Sequence, residues 1–268
     1  MDSSGDKLVG LVPAAGSGKR IAPLPCSKEL FSVAMQQDLR TGEPRVKVVS
    51  EYLLDKFRDA GVPLAIIILR EGKWDIPAYF RDGKSVGLKL AYVVITDSCG
   101  PPDTLDRAYS FVGDKVVAFG FPDILFTPDD AFTQLLRKQR AGHADLVLGL
   151  FPAHDHRLMD MVRVDPSGRV TELVLKPLQS DLHYAWICAV WTPTFTEFLH
   201  EFISSDEAHH CRRQAEHKID PQGDLPVGAV IQAAIRQGIL VDGVMFPTGT
   251  YIDIGTPGDL AKALRMYR

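Results

Sequence analysis

The apolar residues in the first half of the chain alternate between the spacing of buried strands and that of amphipathic helices. The clearest strand is predicted at residues 64–69, where every side chain is apolar. Further strands are predicted at 7–13, 88–95, 115–119 and 144–150, and helices at 46–60, 103–112 and 129–141. Strands that alternate with helices indicate an α/β fold of the Rossmann-like, doubly wound kind, with a mixed, mainly parallel sheet.

The pattern changes after about residue 150. Two short apolar segments flank the turn residues 166–169, which include Pro166 and Gly168, so residues 161–175 predict a β-hairpin. A strand at 185–191 and a helix at 194–203 follow, and the polar segment 204–223 is typical of a solvated helix or a mobile loop. We therefore expect a single domain over residues 1–268. It comprises a core at 1–150, an inserted β-rich lobe at about 151–200 and a return to the core at 224–268.

The composition is that of a folded protein, with 46% hydrophobic residues, 24% charged residues and a net charge of −4. This charge gives no support to nucleic acid as a partner, although a local cluster of cations can still bind a nucleotide. No apolar segment is long enough to span a bilayer, and no signal segment follows Met1, so no membrane association is expected. The four cysteines are far apart and are expected to be reduced thiols in a cytoplasmic protein; a homo-oligomer is allowed but not specified.

The first predicted strand breaks into a turn that contains Gly16 and Gly18, followed by Arg20 and Lys28. Glycines let backbone N–H groups approach a phosphate chain, and two cations suit the charge of a triphosphate. The turn is not a Walker A loop, because its first glycine and its ending differ. It is not the dinucleotide fingerprint either, because Ile21 occupies the third glycine position. Taken alone, it also fits a glycine-rich turn with exposed cations.

Residues 11–33, LVPAAGSGKRIAPLPCSKELFSV, resemble the signature of sugar-1-phosphate nucleotidyltransferases, particularly the glucose-1-phosphate thymidylyltransferases and uridylyltransferases. Further matches follow in the family's order at residues 79–92, 102–108, 116–123 and 251–260. Together the matches extend from residue 9 to about residue 264, nearly the whole chain. Lys19 stands where the family usually has threonine.

The resemblance implies an enzyme that joins a sugar 1-phosphate to a nucleoside triphosphate and releases pyrophosphate. It favours dTTP or UTP as the triphosphate. It implies Mg²⁺ as the cofactor, with Asp123 and Asp253 as its ligands. Arg20 and Lys28 are the implied catalytic cations. The resemblance also implies that the segment at about 151–200 is a sugar-binding lobe, from which Lys176 points at the sugar phosphate. Because both reactants are anionic, such catalysis is mainly positioning and charge neutralisation. The nucleotide-binding residues that the resemblance implies are Ala14, Ala15, Gly16, Ser17, Gly18, Lys19, Pro102, Asp103 and Thr104.

The departures from the family pattern cluster on the sugar side. Met161 replaces a glycine under the sugar, Leu175 replaces a glutamate beside Lys176, and Cys188 replaces a glycine in the strand at 185–191. We expect these three residues to line the sugar-phosphate site and to change its shape. The resemblance thus predicts the reaction class and leaves the acceptor open.

Three alternatives remain at this point. One is a cytidylyltransferase for a different phosphorylated molecule, and another is a catalytically silent relative that binds nucleotide and regulates or scaffolds a partner. A silent protein would be favoured by loss of Arg20, Lys28, Asp123 or Asp253, and all four are present. A dehydrogenase is disfavoured because the third glycine is missing and Arg70, not an acid, ends the strand at 64–69.

Overall fold

The computed structural model describes residues 7–38, 41–205 and 224–267. The expectation for the polar segment 204–223 therefore falls almost entirely outside the described residues. The strands are β1 (Leu8–Ala14), β2 (Ser32–Gln37), β3 (Pro44–Val48), β4 (Leu64–Arg70), β5 (Lys89–Ile95), β6 (Val116–Gly120), β7 (Ile124–Thr127), β8 (Leu146–Pro152), β9 (Met161–Val164), β10 (Val170–Val174), β11 (Tyr184–Trp191), β12 (Val241–Met245) and β13 (Thr250–Asp253). The helices are α1 (Val49–Asp59), α2 (Asp75–Phe80), α3 (Pro101–Asp106), α4 (Tyr109–Val112), α5 (Ala131–Ala141), α6 (Pro193–Ile203), α7 (Val227–Arg236) and α8 (Pro257–Met266).

A nine-stranded sheet forms the centre of the described part of the molecule. Its main path runs β10-β9-β11-β6-β1-β4-β5, and β8 pairs with both β11 and β12. β1 is parallel to β4 and β6, and β4 is parallel to β5, whereas β11 is antiparallel to its neighbours. Apolar clusters cover both faces of this sheet, around Phe119 on one side and Phe57 on the other. The predicted α/β class with a mixed sheet is confirmed.

The β-rich segment after residue 150 is not a separate layer, which differs from the expected lobe. β11 lies in the middle of the central sheet, between β6 and the hairpin of β9 and β10. From Ala185 to Trp191 this strand is buried on both faces, because apolar clusters pack on the two sides of the central sheet. The hairpin over 161–175 forms as predicted and extends the same sheet.

Two of the predicted helices have different bounds in the structure. The expected helix at 46–60 begins only at Val49, because the preceding residues belong to β3, which pairs antiparallel with β2. The predicted helix at 103–112 is divided into α3 and α4. Within the described ranges, no helix is both long enough and apolar enough to cross a bilayer.

Candidate active site

A cleft of about 410 Å³ opens at the carboxyl ends of the parallel strands β1, β4 and β6. Ligands of open α/β sheets bind at this edge, because loops diverge there from adjacent strands. The cleft is lined by residues from the glycine turn, from strand ends and from β11. The lining includes Ala15, Gly16, Ser17, Lys19, Arg20, Lys28, Arg70, Ser98, Thr104, Asp123, Asp160, Lys176, Trp186 and Asp253.

The glycine turn leaves β1 and bends back towards the cleft. Gly18 has φ +64°, a left-handed conformation that favours glycine, and its carbonyl accepts hydrogen bonds from the N–H groups of Ile21 and Ala22, each at 3.1 Å. The Lys28 Nζ lies 3.9 Å from where a Cβ on Gly16 would stand. The turn and the Lys28 ammonium group therefore border the same space.

Lys28 is held from both sides by its neighbours in sequence. The Ser27 N–H and hydroxyl donate to the two carboxylate oxygens of Asp75, at 2.6 and 2.7 Å. Glu29 is 1% exposed, and both of its carboxylate oxygens accept from the Lys73 Nζ at 2.8 Å. These contacts fix the backbone on each side of Lys28, so its side chain enters the cleft from an anchored position.

Two carboxylates meet across the cleft floor although they are far apart in sequence. Asp123 directly precedes β7, and Asp253 ends β13, which pairs antiparallel with β7 in a separate two-stranded ribbon. Within this ribbon Asp253 stands opposite Ile124, and the Ile254 N–H donates to the Asp123 carbonyl at 2.9 Å. The Lys28 ammonium donates to the Asp123 carboxylate. The ribbon is thus the element that brings the two acids together.

The charges of this cluster shift the pKa values of its members. Burial, and next the charge of Asp123, raise the pKa of Asp253 to about 6, against the opposing effects of Lys28 and Arg20. For Lys28, burial lowers the pKa, but the carboxylates of Asp123, Glu29 and Asp253 outweigh it, and its pKa is raised above the ordinary value. Lys28 therefore remains a cation at neutral pH.

The two acids fit a divalent metal ion. Carboxylate oxygens are the ligands that Mg²⁺ prefers, and the ion commonly takes one or two of them from the protein and the rest from phosphates and water. Within residues 7–38, 41–205 and 224–267, no cluster of three or more acidic, histidine or cysteine side chains could hold a metal ion. The pair of Asp123 and Asp253 matches the one or two protein carboxylates that Mg²⁺ commonly takes. The two like charges also repel each other, and a bound cation would relieve this repulsion.

On the other side of the cleft, the structure separates Lys176 from the three substituted positions. Lys176 lines the cleft with φ +36°, whereas Met161 and Cys188 are fully buried elsewhere. Leu175 packs against the main core and the first turn of α7. Met161, Leu175 and Cys188 therefore do not line the cleft, where a sugar would bind. Asp160 and Trp186 line it in their place.

The loop before α3 borders the cleft through Ser98, and α3 itself does so through Thr104. The Thr104 hydroxyl is 2.6 Å from that of Ser98, and both line the cleft. Asp103 accepts instead from the Cys99 N–H at 2.9 Å and stabilises the loop itself, while Pro102 is buried on the first turn of α3 and does not line the cleft. Thr104 is therefore the member of this group that the structure brings to the cleft.

Among the remaining predicted residues, Ala15, Gly16, Ser17, Lys19 and Arg20 line the cleft. Ala14 is buried in the core, and Gly18 borders a smaller neighbouring pocket.

Sequence reasoning missed four charged residues that line the cleft, Glu29, Arg70, Asp160 and Asp224. The signal for Arg70 was its place at the end of the most apolar strand, since strand ends meet at this edge of the sheet. Its Nε is buried and has no hydrogen-bond partner among the described residues. Asp160 directly precedes β9, and no feature of the sequence marked it.

Several known proteins are similar to this chain. It is 23% identical over 257 residues to the low-salt glycan biosynthesis nucleotidyltransferase of Haloferax volcanii, with 95% of this chain and 64% of the relative covered. It is 25% identical to a glucose-1-phosphate thymidylyltransferase of Streptomyces griseus, covering 96% and 65%, and 26% identical to one of Actinoplanes sp., covering 97% and 78%. The chain thus spans just under two thirds of the length of the first two relatives.

The fold is shared with solved structures. A UDP-glucose pyrophosphorylase in complex with UDP-glucose superposes with a TM-score of 0.76 at 16% identity, covering 96% of this chain and 97% of the other. The UDP-glucose pyrophosphorylase of Acinetobacter baumannii gives 0.75 at 16% identity, covering 96% and 92%. The family described as nucleotidyl transferase matches residues 9–268, nearly the full length. The chain that places these cations and acids around one cleft therefore belongs to the nucleotidyl transferase family.

Proposed function

We propose that this protein joins a sugar 1-phosphate to a nucleoside triphosphate, dTTP or UTP, and releases pyrophosphate. The observation that carries the proposal is the convergence of the glycine turn, two lysines, Arg20 and two aspartates on one cleft. Cations and hard oxygen ligands are what two anionic reactants require. The similarity to thymidylyltransferases and to a glycan nucleotidyltransferase supports the same reaction.

Each charged side chain has a place in the proposed reaction. Backbone groups of residues 15–19 and the guanidinium of Arg20 bind the β- and γ-phosphates, and Lys28 faces the α-phosphate. Lys176 binds the phosphate of the sugar and orients its oxygen for in-line attack on the α-phosphorus. Asp123 and Asp253 hold Mg²⁺, which when bound neutralises charge on the phosphate oxygens. Fixed positions for these groups lower the barrier, because they need not reorganise during the reaction.

The test is a matrix of reactions. The purified chain is incubated with Mg²⁺, each of ATP, CTP, GTP, UTP and dTTP, and each member of a panel of sugar 1-phosphates, and pyrophosphate release is measured. We expect turnover with UTP or dTTP and one class of sugar 1-phosphate. Asp123→Asn and Asp253→Asn should each lower kcat/KM about a hundredfold or more, since metal-assisted charge stabilisation contributes several kcal/mol.

Asp114→Asn is the matched control. Asp114 is 80% exposed and precedes β6, at the strand end opposite the cleft, so its loss should leave turnover unchanged. Absence of triphosphate binding in the presence of Mg²⁺ would contradict the proposal. Triphosphate binding without turnover across the panel would instead favour the silent nucleotide-binding protein, and turnover with CTP alone the cytidylyltransferase.

A further inference from the structure

Asp160 presents an unused hydrogen-bond acceptor at the sugar side of the cleft. Its side chain lines the cleft, and its Oδ1 is buried without a hydrogen-bond partner among the residues that the structure describes. Buried polar atoms in native proteins nearly always have a partner, so an exception at a binding cleft points to a group that a ligand supplies. The missing partner must be a donor, because a carboxylate oxygen accepts.

The surroundings of Asp160 keep its carboxyl group in place. Burial raises the pKa of Asp160, whereas the positive charge of Lys176 and hydrogen bonding from the Trp186 side chain and the Lys176 backbone oppose this rise. Asp160 also lies against the first turn of α7, where a Cβ on Gly228 would come within 2.3 Å of its Oδ2. The glycine is needed for this close approach, so one oxygen is packed against the helix while the other has no hydrogen-bond partner among the described residues.

The neighbouring Lys176 restricts the kind of donor. Lys176 already provides a positive charge beside the carboxylate, and a second cation would be repelled by it. A neutral hydroxyl group pairs with the free oxygen without this repulsion, and hydrogen bonds to ionised acceptors are stronger than neutral ones. The chemistry of the two side chains together suits a molecule with an anionic end and a hydroxyl-bearing end.

We propose that Asp160 is a specificity-determining residue that accepts a hydrogen bond from a ring hydroxyl of the sugar 1-phosphate. The inference rests on the proposed function and deepens it, because it restricts the acceptor to sugars that carry a hydroxyl within reach of Asp160 when the phosphate lies at Lys176. Amino sugars at the same ring position are disfavoured. The residue binds and orients substrate and takes no part in proton transfer.

The test measures acceptor affinity and kinetics in two variants. Glucose, galactose, mannose and fucose 1-phosphates are titrated calorimetrically into the wild-type protein with Mg²⁺, together with single-deoxy derivatives of the tightest binder and its amino-sugar counterpart. Asp160→Asn removes the charge and Asp160→Leu removes the acceptor at similar volume. Glu172→Gln, on the exposed side of the same hairpin, is the matched control. Triphosphate affinity is measured for every protein as an internal standard.

We expect Asp160→Asn to weaken the acceptor about tenfold and Asp160→Leu more, through KM rather than kcat, with triphosphate affinity unchanged. With the wild type, one deoxy derivative should bind more weakly than the parent sugar phosphate by about the same factor. With Asp160→Leu, this derivative and the parent should bind equally well. Asp160→Asn should fold normally, since the amide has nearly the size of the carboxyl group and carries no charge into a buried position. Melting temperatures of both variants check this point.

Unchanged acceptor affinity in Asp160→Leu would overturn the inference. So would a preference for the amino sugar, or triphosphate binding without affinity for any of the four sugar phosphates. If the wild type does not bind triphosphate at all, the proposed function itself is wrong, which is a different result from failure of this inference alone.

Discussion

At the scale of single residues, the cleft is a balance of buried charges. Asp123 and Asp253 repel each other, and Lys28 relieves only part of this repulsion. Both acids are largely withdrawn from water, so the metal-free site costs the fold stability whenever both are ionised. Such stored unfavourable energy is typical of sites that wait for a cation.

The pH dependence of stability should reveal the charge on Asp253. Its pKa in the folded protein is about 6, above that of an unfolded aspartate, so folding favours the protonated form. The stabilising contribution of protonation is complete below about pH 4 and is lost as the pH rises through 6. In EDTA, Asp253→Asn should therefore raise the free energy of unfolding at pH 8 by up to about 3 kcal/mol, and by about half as much at pH 5. Urea unfolding at both pH values measures the difference.

Added Mg²⁺ provides the control for this experiment. It should stabilise the wild type at pH 8 and leave Asp253→Asn nearly unaffected. An equal effect of the substitution at both pH values would show that the folded carboxyl group does not titrate in this range.

At the scale of elements, the segment that carries Lys28 is a single turn of 3-10 helix at Lys28–Leu30. A turn this short has little intrinsic stability and depends on tertiary contacts. Lys73 supplies them, because its ammonium group bonds Glu29 and also donates to the Ala14 carbonyl at the end of β1, at 2.8 Å. One side chain therefore joins the Lys28 segment to the strand that leads into the glycine turn.

Removing Lys73 should be costly. In Lys73→Met the Glu29 carboxylate stays buried without its cation, and breaking one partner of such a pair typically costs about 3–5 kcal/mol. Burial already raises the pKa of Glu29, so the variant should also become less stable as the pH rises. Urea unfolding measures the loss. The double variant with Glu29→Gln should recover much of it because no unpaired charge remains, and a cost under about 1 kcal/mol in Lys73→Met would refute this account.

At the scale of the whole molecule, β11 links the two parts that the sequence suggested as core and lobe. It pairs with β6, β8 and β9, so neither part has a sheet of its own. Shared strand pairing and apolar clusters that extend across the sheet make independent unfolding unfavourable.

We accordingly predict one cooperative thermal transition. Scanning calorimetry of the ligand-free protein should give a van't Hoff enthalpy equal to the calorimetric enthalpy. Two resolved transitions, or proteolytic release of a stable fragment over residues 151–200, would show that the lobe folds separately.

The sequence was sufficient for β1, β4 and β6, because buried parallel strands are continuous apolar segments. It was insufficient for β7 and β13, which have four residues each and pair only across a long separation. On the sugar side the sequence pointed to Met161, whereas its neighbour Asp160 lines the cleft. Successive side chains of a strand point to opposite faces, so an error of one position exchanges a cleft residue for a core residue.

The β7–β13 ribbon also has a consequence for biosynthesis. Chains are made and begin to fold from the amino-terminal end, so the glycine turn, Lys28 and Asp123 emerge from the ribosome long before Asp253. Until β13 has been synthesised and has paired with β7, a nascent chain carries half of its acidic pair and cannot assemble the cleft. The order of translation thus delays the appearance of the complete acidic pair until the last part of the described chain has been made.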